Sequence, residues 1–255
     1  MEVLGPVPED VNGAQALRWL SGFGKTKNGH SIILRLKYGE ISFLLGGDLN
    51  IPAEDYLLEH YTGEQVPPRN VEGEERLIKK ARKIFQSDFA KACHHGSADF
   101  TETFLKAVNA HATVVSSGDD EPHAHPRADT LGTIGKHSRG RRSMIFSTEL
   151  ARSTKDTIHN AEKFREQIRV AAHDVAEAKA NGTAGELATA ERRFEKLLEK
   201  IQRSVATYGA INMRTDGDKA IFAYKIERPK SKKSQWDIYK FERDSTGELV
   251  FQSRH

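Results

Sequence analysis

The chain is short of cysteine, of long apolar runs and of net charge, and each shortage excludes something. A single cysteine, Cys93, forbids an internal disulfide and fits a reducing compartment. The longest apolar runs, such as Ile41–Leu45 and Ala112–Val115, are far too short to cross a bilayer, so no membrane contact is expected. Met1-Glu-Val-Leu-Gly-Pro6 has neither the basic start nor the apolar stretch of a secretory signal. Together these absences point to the cytoplasm. A net charge of +3 is mild, permitting anionic substrates without demanding nucleic acid. Its local source is Arg228-Pro-Lys-Ser-Lys-Lys233, which reads as a solvated loop between two strands. Nucleic-acid binding through that loop is the weaker reading, because no aromatic platform for stacking bases is evident.

What is present suits a soluble chain with a highly charged surface: 37% hydrophobic and 29% charged over 255 residues. That length allows one large domain, or a domain with an appendage. The first half alternates strands with helices. Residues 31–37 have strand character, Tyr38-Gly-Glu40 turns the chain, and Ile41–Leu45 completes a hairpin-like pair. Helices follow at 52–60, with Pro52 at an early helical position, and at 72–85. A short segment at 88–92 leads to a pair of histidines. Then come a helix at 101–109, a buried strand at 112–117, a helix at 129–136 and a strand at 143–147. Alternation of this kind predicts an α/β domain.

After residue 148 the pattern changes. Ile158, Ala161, Phe164, Ile168, Ala171 and Val175 recur at helical steps to about residue 180. Asn181-Gly-Thr-Ala-Gly185 interrupts them, and Leu187, Phe194, Leu198, Ile201 and Val205 resume the spacing. Two amphipathic helices around a short polar turn make an antiparallel hairpin, read as a packing or interaction arm. The tail then returns to alternating strands, at 209–214, 219–227, 236–242 and 249–251, which are expected to rejoin the core.

Chemistry-bearing residues collect in three places. Gly46-Gly47-Asp48 ends the second strand of the hairpin-like pair; Asp48 is either a metal ligand or the cap of the next helix, where Asn50 competes. Lys91-Ala-Cys-His-His-Gly-Ser97 begins 43 residues after Asp48, the last residue of that first motif. Adjacent His94 and His95 cannot both point inward from a strand, which favours a loop with one ring on a metal and the other on a substrate oxygen or a supporting carboxylate. Ser97 donates to an anionic oxygen or caps the helix near Phe100. Pro122-His-Ala-His-Pro126 places His123 and His125 on one side of an extended loop, as a metal pair or a substrate-facing pair. Asp119-Asp-Glu121 reads as a solvated turn. Cys93 reads as a small buried residue, and the remaining histidines as structural or exposed. Two or three donors are too few for a closed metal site, and the chain holds no His-x-His-x-Asp-His run to supply the others.

Several of these pieces, in this order, resemble the second half of a metallo-β-lactamase-fold hydrolase, in the branch typified by the C-terminal domain of ComEC-type competence proteins. The matching stretches are Val3-Leu-Gly-Pro6, Asn28-Gly-His-Ser31, Phe43-Leu-Leu-Gly-Gly-Asp48, Ala53-Glu-Asp-Tyr-Leu-Leu58, Lys91-Ala-Cys-His-His-Gly-Ser97, Phe104-Leu-Lys-Ala-Val108, Val114-Val-Ser-Ser-Gly118 and His125-Pro126. The resemblance covers residues 1–148 and the tail from 209. It implies an α/β fold that is part of an αββα sandwich, with residues 1–148 its C-terminal half and 208–255 terminal strands; the antiparallel helical hairpin at 149–207, outside the resemblance, is then an insertion. It also implies two divalent ions, zinc or manganese, with Asp48 as the bridging carboxylate and His94 or His95 as a terminal ligand. His125 and Ser97 become the candidates for contact with substrate, a phosphodiester or related compound attacked by metal-activated water.

The family's first metal motif, His-x-His-x-Asp-His, lies upstream of the matched part. The chain is therefore expected to lack most of the metal ligands and one of two facing sheets. Its expected activity is weak or absent unless a separate N-terminal half or another protein chain completes it. An exposed sheet edge would favour self-association. The competing expectation is a non-catalytic protein that binds a partner through the helical hairpin.

Overall fold

The computed structural model describes residues 1–117, 123–148, 161–205, 210–225 and 236–254. The basic run Arg228-Pro-Lys-Ser-Lys-Lys233 and the acidic turn Asp119-Asp-Glu121 lie outside the described residues. So do Gly118 and Pro122 of the two neighbouring motifs.

The N-terminal part runs through β1 (Glu2–Gly5), a small hairpin of β2 (Glu9–Val11) and β3 (Ala14–Ala16), and the short helix α1 (Phe23–Gly29). These elements were not legible in the sequence, where residues 1–30 show no clear period. The hairpin follows as read: β4 (Ile33–Tyr38) pairs antiparallel with β5 (Ile41–Leu45), Tyr38 opposite Ile41. Next come α2 (Ile51–Thr62), α3 (Val71–Phe85), β6 (Phe89–Lys91), α4 (Glu102–Val108), β7 (Ala112–Val115), α5 (Ala128–His137) and β8 (Met144–Ser147). Strands β5, β6, β7 and β8 are mutually parallel, and helices connect them, as a parallel pair requires. The six strands order as β1-β4-β5-β6-β7-β8.

Period-two alternation divides this sheet's side chains between two cores. On β5, Leu44 joins Ile33, Leu57, Leu58, Leu77, Phe85 and Phe104 in a cluster built with the helices. Its neighbours Ile41 and Phe43 join Phe89, Ala112 and Phe146 on the other side, among Phe222, Phe241 and Leu249. Those last residues come from the tail: β9 (Ile211–Thr215), β10 (Ala220–Lys225), β11 (Trp236–Arg243) and β12 (Leu249–Arg254). The tail strands do not extend the first sheet. They form a second, four-stranded antiparallel sheet, β12-β11-β10-β9, whose aromatic face packs on the first. The expectation that one of two facing sheets would be missing is thus corrected: the described residues hold two. Phe222 lies 4.5 Å from Phe146 in a stacked pair and 4.9 Å from Phe89 edge to face. The tail's apolar alternation needed a surface of its own to bury, and the open face of β5–β8 supplies it.

The chain divides into two compact units: Met1–Ala151 with Gly209–Lys225 and Trp236–His255, and Arg152–Tyr208 with Ile226–Gln235. In the second, α6 (Ala161–Asn181) packs against α7 (Ala184–Val205), and Arg193 pairs with Asp174 across them at 3.0 Å. The turn between them ends in a capping box. Glu186 accepts the Thr183 N–H at 2.8 Å, while the Glu186 N–H donates to the Thr183 hydroxyl at 3.4 Å.

Candidate functional site

In a parallel sheet the loops at the carboxyl ends of adjacent strands lie side by side, and ligands collect there. Here those loops are Gly46-Gly47-Asp48 after β5, the Cys93–Gly96 turn after β6 and the segment from Ser116 after β7. The motifs that were far apart in sequence meet because β5, β6 and β7 are neighbours.

The first loop is shaped by two glycines for two different reasons. A Cβ on Gly46 would sit 2.4 Å from Cys93 Sγ, so only hydrogen fits. Gly47 has φ +56°, and a Cβ there would also lie 2.4 Å from Ser31 Cβ. The backbone then locks. The Asp48 N–H donates to the Ser31 hydroxyl at 2.9 Å, and the His94 N–H donates to the Gly47 carbonyl at 3.0 Å. Asn50, not Asp48, caps α2: its side chain accepts from the Ala53 N–H. That leaves the Asp48 carboxylate without the capping duty left open above.

The second loop is more strained. His94 and His95 both adopt left-handed backbone, φ +46° and +55°, followed by Gly96 at +81°. Left-handed backbone costs a non-glycine residue on the order of 1 kcal/mol, and such strain gathers at functional sites. Several bonds hold the turn. Ala92 N–H donates to the Val114 carbonyl at 2.8 Å, Ser97 N–H to the His94 carbonyl at 2.9 Å, and Arg127 N–H to the Gly96 carbonyl at 2.9 Å. A Cβ on Gly96 would lie 2.9 Å from Pro126 Cβ, so the His125-Pro126 segment presses directly on the turn.

The conformation sends the two imidazoles to different partners. His95 Nδ1 lies 2.7 Å from the Ser116 carbonyl. A carbonyl can only accept, so Nδ1 carries a proton, and in the neutral ring Nε2 then holds the lone pair. That lone-pair nitrogen stands 3.6 Å from Asp48 Oδ1, too far for a hydrogen bond. Two donors each about 2.1 Å from a shared tetrahedral ion stand about 3.4 Å apart, which is close to this separation. Asp48 and His95 therefore fit one edge of a metal site, with Ser116 orienting the histidine from behind. His94 Nδ1 is buried without a hydrogen-bond partner, and its ring meets His125 edge to face at 5.7 Å. His125 stacks on His123 at 5.8 Å, so the two rings of that motif do share a side. Among the described residues, no group of three or more His, Cys, Asp or Glu side chains stands close enough to hold a metal ion.

Ser97 is not the cap of the helix that follows it, one of the two readings given above. Thr101 caps α4, accepting from Phe104 N–H at 3.1 Å, while the buried Ser97 hydroxyl accepts from Asp99 N–H at 3.2 Å. Burial pushes the Cys93 thiol pKa up, so it stays protonated and acts as packing against Gly46.

One residue escaped the sequence reading. Glu54, on α2, is fully buried, accepts the Thr101 N–H through Oε2 and leaves Oε1 unpartnered. Desolvation raises its pKa to about 8, only partly offset by the Thr101 bond. With Cys93, Ser97, Phe104 and Thr130 it lines a small cavity in the helix-covered part of the fold. The signal was available: Glu54 shares the helical phase of Leu57, Leu58 and Tyr61, a charged residue on an apolar face. Ser31 and Ser116 had no comparable signal, since their partners Asp48 and His95 lie 17 and 21 residues away along the chain.

Over 114 residues the sequence is 26% identical to ComE operon protein 3 of Bacillus subtilis (strain 168), a stretch that covers 44% of this chain and 12% of that protein. The chain therefore spans only a small part of the length of the curated relative it matches. No family model matches the chain. No solved structure matches it. Among the described residues, no helix is long and apolar enough to cross a membrane.

Proposed function

We propose that the chain is the C-terminal portion of a metal-dependent hydrolase of metallo-β-lactamase fold, serving a competence-related process and acting on phosphodiester substrates. The observation that carries this reading is the His95–Asp48 edge. A histidine with its proton fixed by Ser116 presents a bare nitrogen 3.6 Å from a carboxylate that has been relieved of helix capping. The similarity to ComE operon protein 3 supports the setting, and the two facing sheets are compatible with the fold.

In this reading Asp48 and His95 hold a divalent cation, zinc or manganese, from one side. The remaining donors come from outside the described residues, from an N-terminal half or another chain, because two donors do not close a four-coordinate site. A cation held there would supply Lewis acidity toward a phosphoester and toward water. The chain's own residues do the positioning: Ser116 fixes the tautomer of His95, Ser31 holds the Asp48 backbone, and His94 with His125 line the substrate side.

The test is zinc and manganese titration calorimetry on the full chain. One weak site is expected, reduced at least about tenfold by Asp48→Ala and by His95→Ala. Equal affinity in parent and both variants would end the assignment of these donors, and two tightly bound ions would end the claim that the site is incomplete.

A further inference from the structure

The candidate site rests on two loops, and one buried side chain belongs with the first and bears on the second. Glu54 lies in the first turn of α2, the helix that begins directly after the loop carrying Asp48. It is 1% exposed. Its Oε2 accepts the Thr101 N–H at 2.5 Å, while Oε1 has no hydrogen-bond partner among the described residues. With Cys93 and Ser97 the same side chain lines the small cavity beneath the helices. Cys93, Ser97 and Thr101 are the start, the middle and the end of the stretch that bears His94 and His95. One carboxyl thus borders all three.

That stretch needs support from outside itself. Left-handed backbone at His94 and His95 is unfavourable locally, so the surrounding structure has to impose it. Two fastenings run to it from α2. The outer one, from the Ile51 N–H to Asp99 Oδ1, is long at 3.4 Å and exposed, so water competes for both groups. The inner one is the Glu54–Thr101 bond. Its acceptor is buried, and an N–H that loses its partner beside an apolar wall regains little from water. From the other side, the Thr130 hydroxyl of α5 donates to the Ser97 carbonyl at 2.8 Å. The turn is therefore gripped between α2 and α5, and His95 depends on that grip. A shift of about 1 Å in its backbone would break the 2.7 Å bond from Nδ1 to Ser116, which chooses the tautomer.

We infer that Glu54 is a positioning residue of the candidate site: through Thr101, and through the wall it shares with Cys93 and Ser97, it holds the histidine turn so that His95 Nδ1 stays on Ser116 and Nε2 faces Asp48. Glu54 itself touches neither of the two metal-edge residues. Burial raises its pKa to about 8, so it supplies an acceptor without a second negative charge near Asp48. An uncharged acceptor of the same shape should then replace it. The consequence for metal binding rests on the function proposed above, whereas the orientation of His95 does not.

The test separates shape from hydrogen bonding in the metal-free full chain. Glu54→Gln keeps an acceptor for Thr101, and Glu54→Leu fills the space without one. NMR of the imidazole nitrogens, at about pH 7.5 where ordinary imidazoles are neutral, reads the tautomer of His95. Parent and Glu54→Gln are expected in the Nδ1–H form, and Glu54→Leu as a mixture of both forms in comparable amounts. Zinc binding by calorimetry should weaken about tenfold in Glu54→Leu and recover in Glu54→Gln. An unchanged tautomer in Glu54→Leu would overturn the inference whatever zinc does, and so would a Glu54→Gln chain as disordered at His95 as the leucine variant. Amide exchange in the parent needs no variant: the Thr101 N–H should be protected as well as those of β6, and rapid exchange there would equally overturn it. A mixed tautomer with unchanged zinc affinity would uphold the positioning role and count against the metal reading alone.

Discussion

The turns after β5 and β6 lie side by side and solve the same problem in opposite ways. Both carry left-handed backbone at the carboxyl edge of the sheet. After β5 the left-handed position is Gly47, and the residue before it is also a glycine. After β6 the left-handed positions are His94 and His95, where glycine would have been easier, and glycine enters only at Gly96. One turn is shaped for close approach, the other for delivering side chains at a backbone cost. That contrast is the best internal sign that the histidines are there for what their rings do.

The comparison can be broken first at its closest contact. Gly46→Ala should destabilise the chain by about 3 kcal/mol, because its methyl would enter the space of Cys93 Sγ. Cys93→Ala in the same chain should recover most of that loss in urea unfolding. Additive losses would mean that the two turns are not in register as described.

A smaller effect sharpens how the helix-side packing near the histidine turn is maintained. Glu54 is held near pKa 8, above the roughly 4.3 of an unfolded chain, so between those values the folded chain keeps a proton that the unfolded chain has released. Stability from this group is fully present at low pH and falls as pH rises through that window, by up to about 1.4 kcal/mol for each unit crossed. Glu54→Gln removes the titration. Its advantage over the parent in thermal melts should be negligible at about pH 4.5 and grow steadily toward about pH 8. A constant difference across that range would show that Glu54 is ionised in the folded chain.

The smallest effect runs in the opposite direction. His95→Gly should stabilise the chain by about 1 kcal/mol, since glycine adopts φ +55° without cost, while zinc binding is lost. A net loss of stability would mean that the bond from His95 to Ser116 outweighs the backbone strain. The same substitution at Gly47, reversed to Ala, is the natural control for the other turn.

Much of the element order was readable because it rests on local chemistry. The β4–β5 hairpin, the Pro52 start of α2, and the helical spacing through α6 and α7 are decided by near neighbours. The candidate site was half legible. Gly46, Asp48, His94 and His95 stood out as residue types that make poor core at strand ends. Of the two readings left open for Ser97, the cap falls to Thr101, four residues on, whose hydroxyl accepts from Phe104 N–H. Ser31, Ser116 and Glu54 lay within the matching stretches, but nothing in their local sequence assigned them a role.

By itself the amino-acid order determined which residues could bind, cap or turn, since these are properties of side chains and short backbone stretches. Only the tertiary structure decided which of them meet. The parallel placement of β5 and β6 sets Asp48 against His95, and the register of β7 beside them brings the Ser116 carbonyl that chooses the histidine tautomer. The tail likewise read as strands, but whether they would extend the first sheet or face it depended on the uncovered aromatic surface of Phe89 and Phe146. Burial is a property of two surfaces at once, and no single stretch of chain contains both.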